Sequence, residues 1–318
     1  MPSLHNYLHD FLDYLEIERG RSKLTVRNYD FYLTRFLVWL KSKLKRSPQT
    51  SDITLDQVRQ FRLWLNRLPV RGGQELSRTT QNYHLIALRS LLKYLRKRDL
   101  ESLAPEKIEL AKQSERQVEF LEGTDLDRLL QAPFATQETE IVKFRDKAIL
   151  ELLFSTGIRV SELVSLKRDQ VNLGKDEFSV KGKGGKVRVV FISTAAKNNL
   201  KKYLDKRTDT DPALFVGHDR AADAREHDQK PSHPISARSV QRAIEYYRKV
   251  AGINRRITPH TLRHSFATDL LSSGADIRSV QAMLGHANIT TTQVYTHVTD
   301  KQLKEVHKAF HSRRRGKG

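Results

Sequence analysis

Apolar residues recur along the first hundred positions with helical spacing. Leu8, Phe11, Leu12 and Leu15 fall at i, i+3, i+4 and i+7, one face of a helix. The chain restarts at Ser22-Lys-Leu-Thr-Val, and Tyr29, Leu33, Phe36, Leu37 and Leu40 carry the next stripe. Thr54 is placed to cap a third helix bearing Val58, Phe61 and Leu65. After a Gly72-Gly73 break, Leu85, Leu88, Leu91, Leu92 and Leu95 mark a fourth. No stretch here alternates with period two, so residues 1–104 are expected to form an all-helical domain.

Residues 104–118 have few apolar positions and one proline, which predicts a linker over 105–118. A second domain is expected over 119–311. A helix from Asp146 to Phe154 carries Ile149, Leu150, Leu152 and Leu153, and Gly157 is placed to end it. Phe178-Ser-Val-Lys and Val187-Arg-Val-Val-Phe-Ile are β-branched and aromatic. They flank Gly182-Lys183-Gly184-Gly185, which reads as a hairpin turn. Further helices are expected from Ser236, Thr258 and Asp276. Residues 219–234 read as a solvated loop and 312–318 as a basic tail. The fold class is therefore mainly α with a small β-sheet in the second domain.

Composition narrows the partners. Lys and Arg number 57 against 37 Asp and Glu, a formal net charge of +20. The excess is shared by both halves, which favours a polyanion held from two sides over mere solubility. There is no cysteine. Disulfides, thiolate metal sites and a cysteine nucleophile are thereby excluded. No apolar run approaches the ~20 residues of a membrane helix, and the N-terminus does not read as a secretory signal. The expected compartment is the cytoplasm, or wherever the nucleic acid lies.

Several positions could carry chemistry. In Thr258-Pro-His-Thr-Leu-Arg-His264, Thr258 suits an N-cap and Pro259 the first helical position. His260 and Arg263 then share a face near a helix N-terminus, where free N–H groups attract phosphate. His264 falls off that face, as a packing residue. Arg159 follows the expected helix end at Gly157. Its guanidinium suits bidentate contact with phosphate oxygens, and Glu162 either orients it or is a surface acid. Lys183 sits at the tip of the glycine turn, which lacks the spacer and Lys-Ser/Thr ending of a P-loop. His286 and Tyr295 stand nine apart across a threonine-rich break. Each alone has a bland surface or packing reading. Together, two Arg, a Lys, two His and a Tyr without a carboxylate cluster make a metal-free set for attack on a phosphodiester.

The stretches STGIRVSEL, VKGKGGKVR, TPHTLRHSFATDLL and MLGHANITTTQVYTHV resemble, in order, the motif blocks of the tyrosine recombinases. The helical first part resembles that family's core-binding, SAM-like domain, and within the family the chain looks nearest to the Xer type. The resemblance implies a C-shaped clamp closing on DNA. It implies Tyr295 as nucleophile, leaving a 3′-phosphotyrosyl bond and a free 5′-hydroxyl. Arg159 and Arg263 would hold the non-bridging oxygens, Lys183 would protonate the leaving 5′-oxygen, His260 would handle the tyrosine proton, and His286 would donate a hydrogen bond to the phosphate. No metal or nucleotide cofactor is implied. Double-stranded DNA with an inverted-repeat site is the implied substrate, bound by a homo-tetramer or a hetero-tetramer with a paralogue, with a protein activator as a further possible partner. A terminal helix with Leu303, Val306 and Phe310 would dock into a neighbouring protomer. In the first domain Thr25, Arg27, Asn28, Arg78, Thr79, Asn82 and Arg89 are candidate DNA contacts.

The reading is a site-specific recombinase resolving chromosome or plasmid dimers through a Holliday junction. The chain starts almost at once with core-binding helices and lacks an arm-binding domain, which favours this over a large phage integrase. The alternatives are an integrase or resolvase of a small mobile element, a type IB topoisomerase-like relaxase, and a non-catalytic DNA-binding accessory protein.

Overall fold

The computed structural model describes residues 3–69, 75–112, 119–218 and 233–285, with backbone alone at residue 183. The chain divides into two compact units, residues 1–115 and 116–318.

Among the described residues, unit one is built from four α-helices: α1 (Leu4–Ile17), α2 (Lys23–Leu44), α3 (Leu55–Asn66) and α4 (Arg78–Lys97). Each starts where a hydroxyl can cap it. Ser3, Ser22, Thr54 and Ser77 accept from the backbone N–H three residues on. The predicted stripes face inward, with Leu8, Phe11, Leu33, Phe36, Phe61, Leu88, Leu91 and Leu95 essentially inaccessible.

The stretch read as a linker belongs to this unit up to residue 112. Ile108 is buried in the core of unit one. Asn82 is buried too, and its amide donates to Ala111 O (2.9 Å) while its Oδ1 accepts from Ala111 N (3.1 Å). Pro105, Ile108 and Leu110, together with one buried amide, hold a polar segment down, and their spacing gives no periodic signal.

Unit two surrounds α6 (Glu140–Thr156), which packs against α8 (Thr194–Asp205) and α10 (Pro259–Ser272). Around α6 lie α5 (Gly123–Gln131), α7 (Val160–Val164) and α9 (Ala237–Val250), while α11 (Ile277–Leu284) packs on α10 and the second strand of the hairpin. The only sheet among the described residues is the predicted hairpin. In it β1 (Glu177–Lys181) pairs antiparallel with β2 (Val187–Phe191), Val180 opposite Arg188. α6 is buried around most of its circumference, so its charged residues need partners. Arg145 pairs with Asp146 (2.7 Å), Tyr247 donates to Asp146 (2.7 Å), and Lys147 pairs with Glu151 (2.7 Å).

Ser236, Thr258 and Asp276 are the N-caps of α9, α10 and α11, as expected. α6 begins six residues before the predicted Asp146, at Glu140. The glycine at its end behaves as read. Gly157 is left-handed (φ 59°), and a Cβ there would stand 2.4 Å from the Phe266 ring. Of the stretch 219–234 read as a solvated loop, residues 219–232 lie outside the described residues, while 233 and 234 pair back onto the chain: Pro234 bridges antiparallel to Val216, and His233 O accepts from Gly217 N (2.8 Å).

Candidate active site

The site is organised by the carboxyl end of α11. The last carbonyls of a helix have no intrahelical partner, and the helix dipole makes that end negative. Here three successive carbonyls each receive an arginine. Met283 O accepts from Arg188 Nε (3.1 Å), Leu284 O from Arg263 Nη2 (2.5 Å), and Gly285 O from Arg159 Nη2 (3.4 Å). Arg263 Nη1 also donates to Gly157 O (2.5 Å). The turn after α6 and the end of α11 thus grip one guanidinium between them.

Arg263 is buried, whereas the Arg159 side chain keeps 30% exposure. Both are predicted site residues, and the structure brings them to the same helix end. Arg159 stands at the head of α7, where its N–H donates to Glu162 Oε2 (2.8 Å) and its Nη1 to Glu162 Oε1 (2.9 Å). Of the two sequence readings of Glu162, the orienting one holds. Glu162 is buried, and it also receives Arg188 through Nη1 (2.9 Å) and Nη2 (2.8 Å). Burial by itself raises a carboxyl pKa. Here the hydrogen bonds from Arg188 and from the Arg159 backbone outweigh it and bring Glu162 down to about 2.

His260 lies in the first turn of α10, and Thr258 caps that helix by accepting from Thr261 N (3.2 Å). The imidazole is exposed on its outer side. Its pKa is lowered, first by the protein wall behind it and then by the positive charges of Arg263 and Arg159. A neutral imidazole beside two guanidiniums is a proton acceptor next to an anion site. His264, expected as a packing residue, is half-buried with its pKa lowered to about 4, chiefly by burial.

The turn over Gly182–Gly185 is in place, with Gly184 and Gly185 left-handed (φ 75° and 78°). The Lys183 side chain, His286 and Tyr295 lie outside the described residues, as do Leu303, Val306 and Phe310. Gly285, the last described residue, caps α11 in the left-handed conformation (φ 64°) at Arg159.

Of the candidate DNA contacts in unit one, Arg27, Asn28 and Arg78 are exposed in the first turns of α2 and α4, and Thr79 and Arg89 are half-buried. Thr25 is half-buried, its hydroxyl 2.9 Å from that of the cap Ser22. Asn82 is a correction. Its side chain is fully engaged by Ala111 and is not available to a ligand. Sequence reasoning also passed over Arg188, and over a basic stripe on α9. There Arg238, Arg242, Tyr246 and Lys249 are all exposed. Their spacing of i, i+4, i+8 and i+11 was a legible sign of one helical face.

The phage integrase family model matches residues 119–302, and the N-terminal SAM-like domain of phage integrases matches residues 8–99. A tyrosine recombinase XerD from Oceanobacillus iheyensis is 36% identical over 314 residues, covering 96% of this chain and 98% of the relative. A tyrosine recombinase XerC from Thermodesulfovibrio yellowstonii is 35% identical over 321 residues, covering 98% of each. Among solved structures, the XerH site-specific recombinase bound to a palindromic difH substrate matches with a TM-score of 0.68 at 23% identity, covering 95% of this chain and 84% of that one. A λ integrase dimer on a core site gives 0.68 at 17% identity, covering 91% and 97%. At these identities the solved structures speak for the fold.

Proposed function

The chain belongs to the phage integrase family and is a tyrosine recombinase, and on that footing we propose that it cuts and rejoins DNA at a specific inverted-repeat site. The observation that carries the reading is the pair Arg159 and Arg263, held at one helix end with neutral His260 beside them. Two fixed guanidiniums suit the non-bridging oxygens of a phosphodiester, whose charge must be offset as a fifth oxygen approaches.

In this proposal Tyr295 attacks the scissile phosphorus and the 5′-oxygen leaves. His260 takes the phenolic proton, since a phenol of pKa near 10 is mostly neutral at pH 7. Lys183 protonates the departing 5′-hydroxyl, and His286 donates a hydrogen bond to the phosphate. The phosphotyrosyl ester conserves the bond, so a 5′-hydroxyl of a second duplex can reverse the step onto a new partner. Four protomers would carry this through a Holliday junction. The XerD and XerC relatives match about equally well. That supports a role in resolving chromosome or plasmid dimers in the cytoplasm, with itself or a paralogue as partner. Contact with the duplex is assigned to the α9 stripe and to Arg27, Asn28, Arg78, Thr79 and Arg89. The terminal Leu303, Val306 and Phe310 would dock on a neighbouring copy. A groove of about 520 Å³ in unit two, with Phe154, Phe191, Phe266 and Leu270 in its lining, is of suitable apolar character to receive them.

The test is covalent trapping. Protein is mixed, with EDTA present, with nicked duplexes bearing inverted-repeat sites from its own replicon, and run on a denaturing gel. An adduct with wild type and none with Tyr295→Phe is expected. An adduct that survives Tyr295→Phe would overturn the assignment of the nucleophile. Sequence-specific binding without an adduct would favour the accessory-protein alternative or a missing activator.

A further inference from the structure

We infer that Arg188 is a positioning residue that locks the Lys183 turn, the Arg159 guanidinium and the end of α11 into one arrangement. The inference rests on the strand-cutting reading above.

Arg188 sits on β2, just beyond the glycine turn, and its side chain is only 13% exposed. Each of its nitrogens is turned toward the protein. Nη1 and Nη2 form a bidentate pair with Glu162, and Nε reaches across to Met283 O. Because Glu162 also accepts from the backbone and guanidinium of Arg159, the two arginines share one carboxylate. Any movement of Arg188 is therefore passed to Arg159 through a single rigid group. A lysine has one nitrogen where this position uses three, so it cannot reproduce the fork and the third bond together.

The same side chain is packed from both sides by glycines. Gly182 opens the turn that carries Lys183. A Cβ there would stand 3.4 Å from both Arg188 Nη1 and Glu162 Oε1. Gly285 ends α11, and a Cβ there would stand 2.9 Å from Arg188 Cδ. The turn before Lys183 and the residue before His286 thus rest directly on Arg188. Three stretches far apart in sequence are brought into register by one guanidinium. The alternative role, a structural ion pair stabilising the fold, predicts lost stability but no selective effect on chemistry.

The test compares full-length wild type with Arg188→Met and Arg188→Lys. On a trapping duplex that wild type cleaves, adduct formation is followed in a single turnover at saturating DNA. Arg188→Met is expected to slow the step about 100-fold, the loss that ~1 Å of misplacement brings. Its half-saturating DNA concentration should stay within about threefold of wild type, and Arg188→Lys should recover part of the rate. A rate within threefold of wild type, or a loss expressed wholly as weaker DNA binding, would overturn the inference.

A second readout needs no cleavage. In ¹⁵N-arginine-labelled protein, inorganic phosphate is titrated while the Nε signals of Arg159 and Arg263 are followed. Both should respond in wild type. In Arg188→Met the Arg159 response should be lost and the Arg263 response kept. Equal responses in both proteins would refute the positioning role, even if strand cutting itself failed. Should Arg188→Met not fold, the Arg188→Lys protein carries both measurements.

Discussion

Replacing Glu162 with glutamine keeps the shape of the site and removes its one buried negative charge. The carboxylate is 4% exposed and accepts from two guanidiniums and a backbone N–H. Its pKa falls from 4.5 to about 2 on folding. At ~1.4 kcal/mol per pH unit that displacement corresponds to about 3 kcal/mol of stability. Breaking one partner out of a buried ion pair costs about 3–5 kcal/mol, because the remaining charge stays buried and uncompensated. The two magnitudes agree, so Glu162→Gln should lower the unfolding free energy of unit two by about 3 kcal/mol at pH 7.

The sign of the pH dependence follows from a depressed carboxyl pKa. The stabilisation is complete above the unfolded value of 4.5 and is lost as pH falls toward 2. The gap between wild type and Glu162→Gln should therefore close across that window. Both tryptophans, Trp39 and Trp64, lie in unit one. The urea titrations should accordingly be followed by far-UV circular dichroism or by amide exchange in α6 and α10. A gap below about 1 kcal/mol at pH 7, or a gap equal at pH 3 and pH 7, would refute the reasoning.

Other expectations are simpler. Gly157→Ala forces a left-handed alanine against the Phe266 ring, 2.4 Å from the new Cβ. It should cost about 1–3 kcal/mol in thermal or urea unfolding, plus activity through displacement of the carbonyl that holds Arg263. Asn82→Ala leaves Ala111 N and O without their partner and should cost about 1–3 kcal/mol, read by tryptophan fluorescence. Its affinity for duplex DNA in a gel-shift assay should stay at the wild-type level. Replacing Arg242 on α9 with alanine should weaken DNA binding and flatten the slope of log K against log salt by about one counterion. An unchanged slope would remove the α9 stripe from the interface.

What the sequence made legible was local. Ser22, Thr54, Ser236, Thr258 and Asp276 each mark a helix start because a cap needs only a side chain and a backbone three residues away. The hairpin was visible because its strands and its glycine turn are contiguous. The short helices α5 and α7 escaped notice, as did α8. Asn82 read as an exposed polar residue because nothing local reveals that Ala111 folds back onto it. Arg188 was one cation among 57. Its meaning depends on Glu162, 26 residues earlier, and on Met283, 95 residues later. Sequence reasoning named the residues proposed to touch substrate, and Glu162 as one able to orient Arg159, but not Arg188.

The three arginines on successive carbonyls of α11 also constrain how this chain can vary. Adding one residue inside α11 would turn its end by about 100° and carry it ~1.5 Å along the axis. Carbonyls 283, 284 and 285 would then each face away from its guanidinium. The same addition in the stretch before Asp276 could be absorbed as slack without rotating the helix. The length of α11 therefore behaves like the cut of a key. Substitutions along its outer face are tolerable, whereas a single insertion or deletion within it disables the three arginine contacts to its end together.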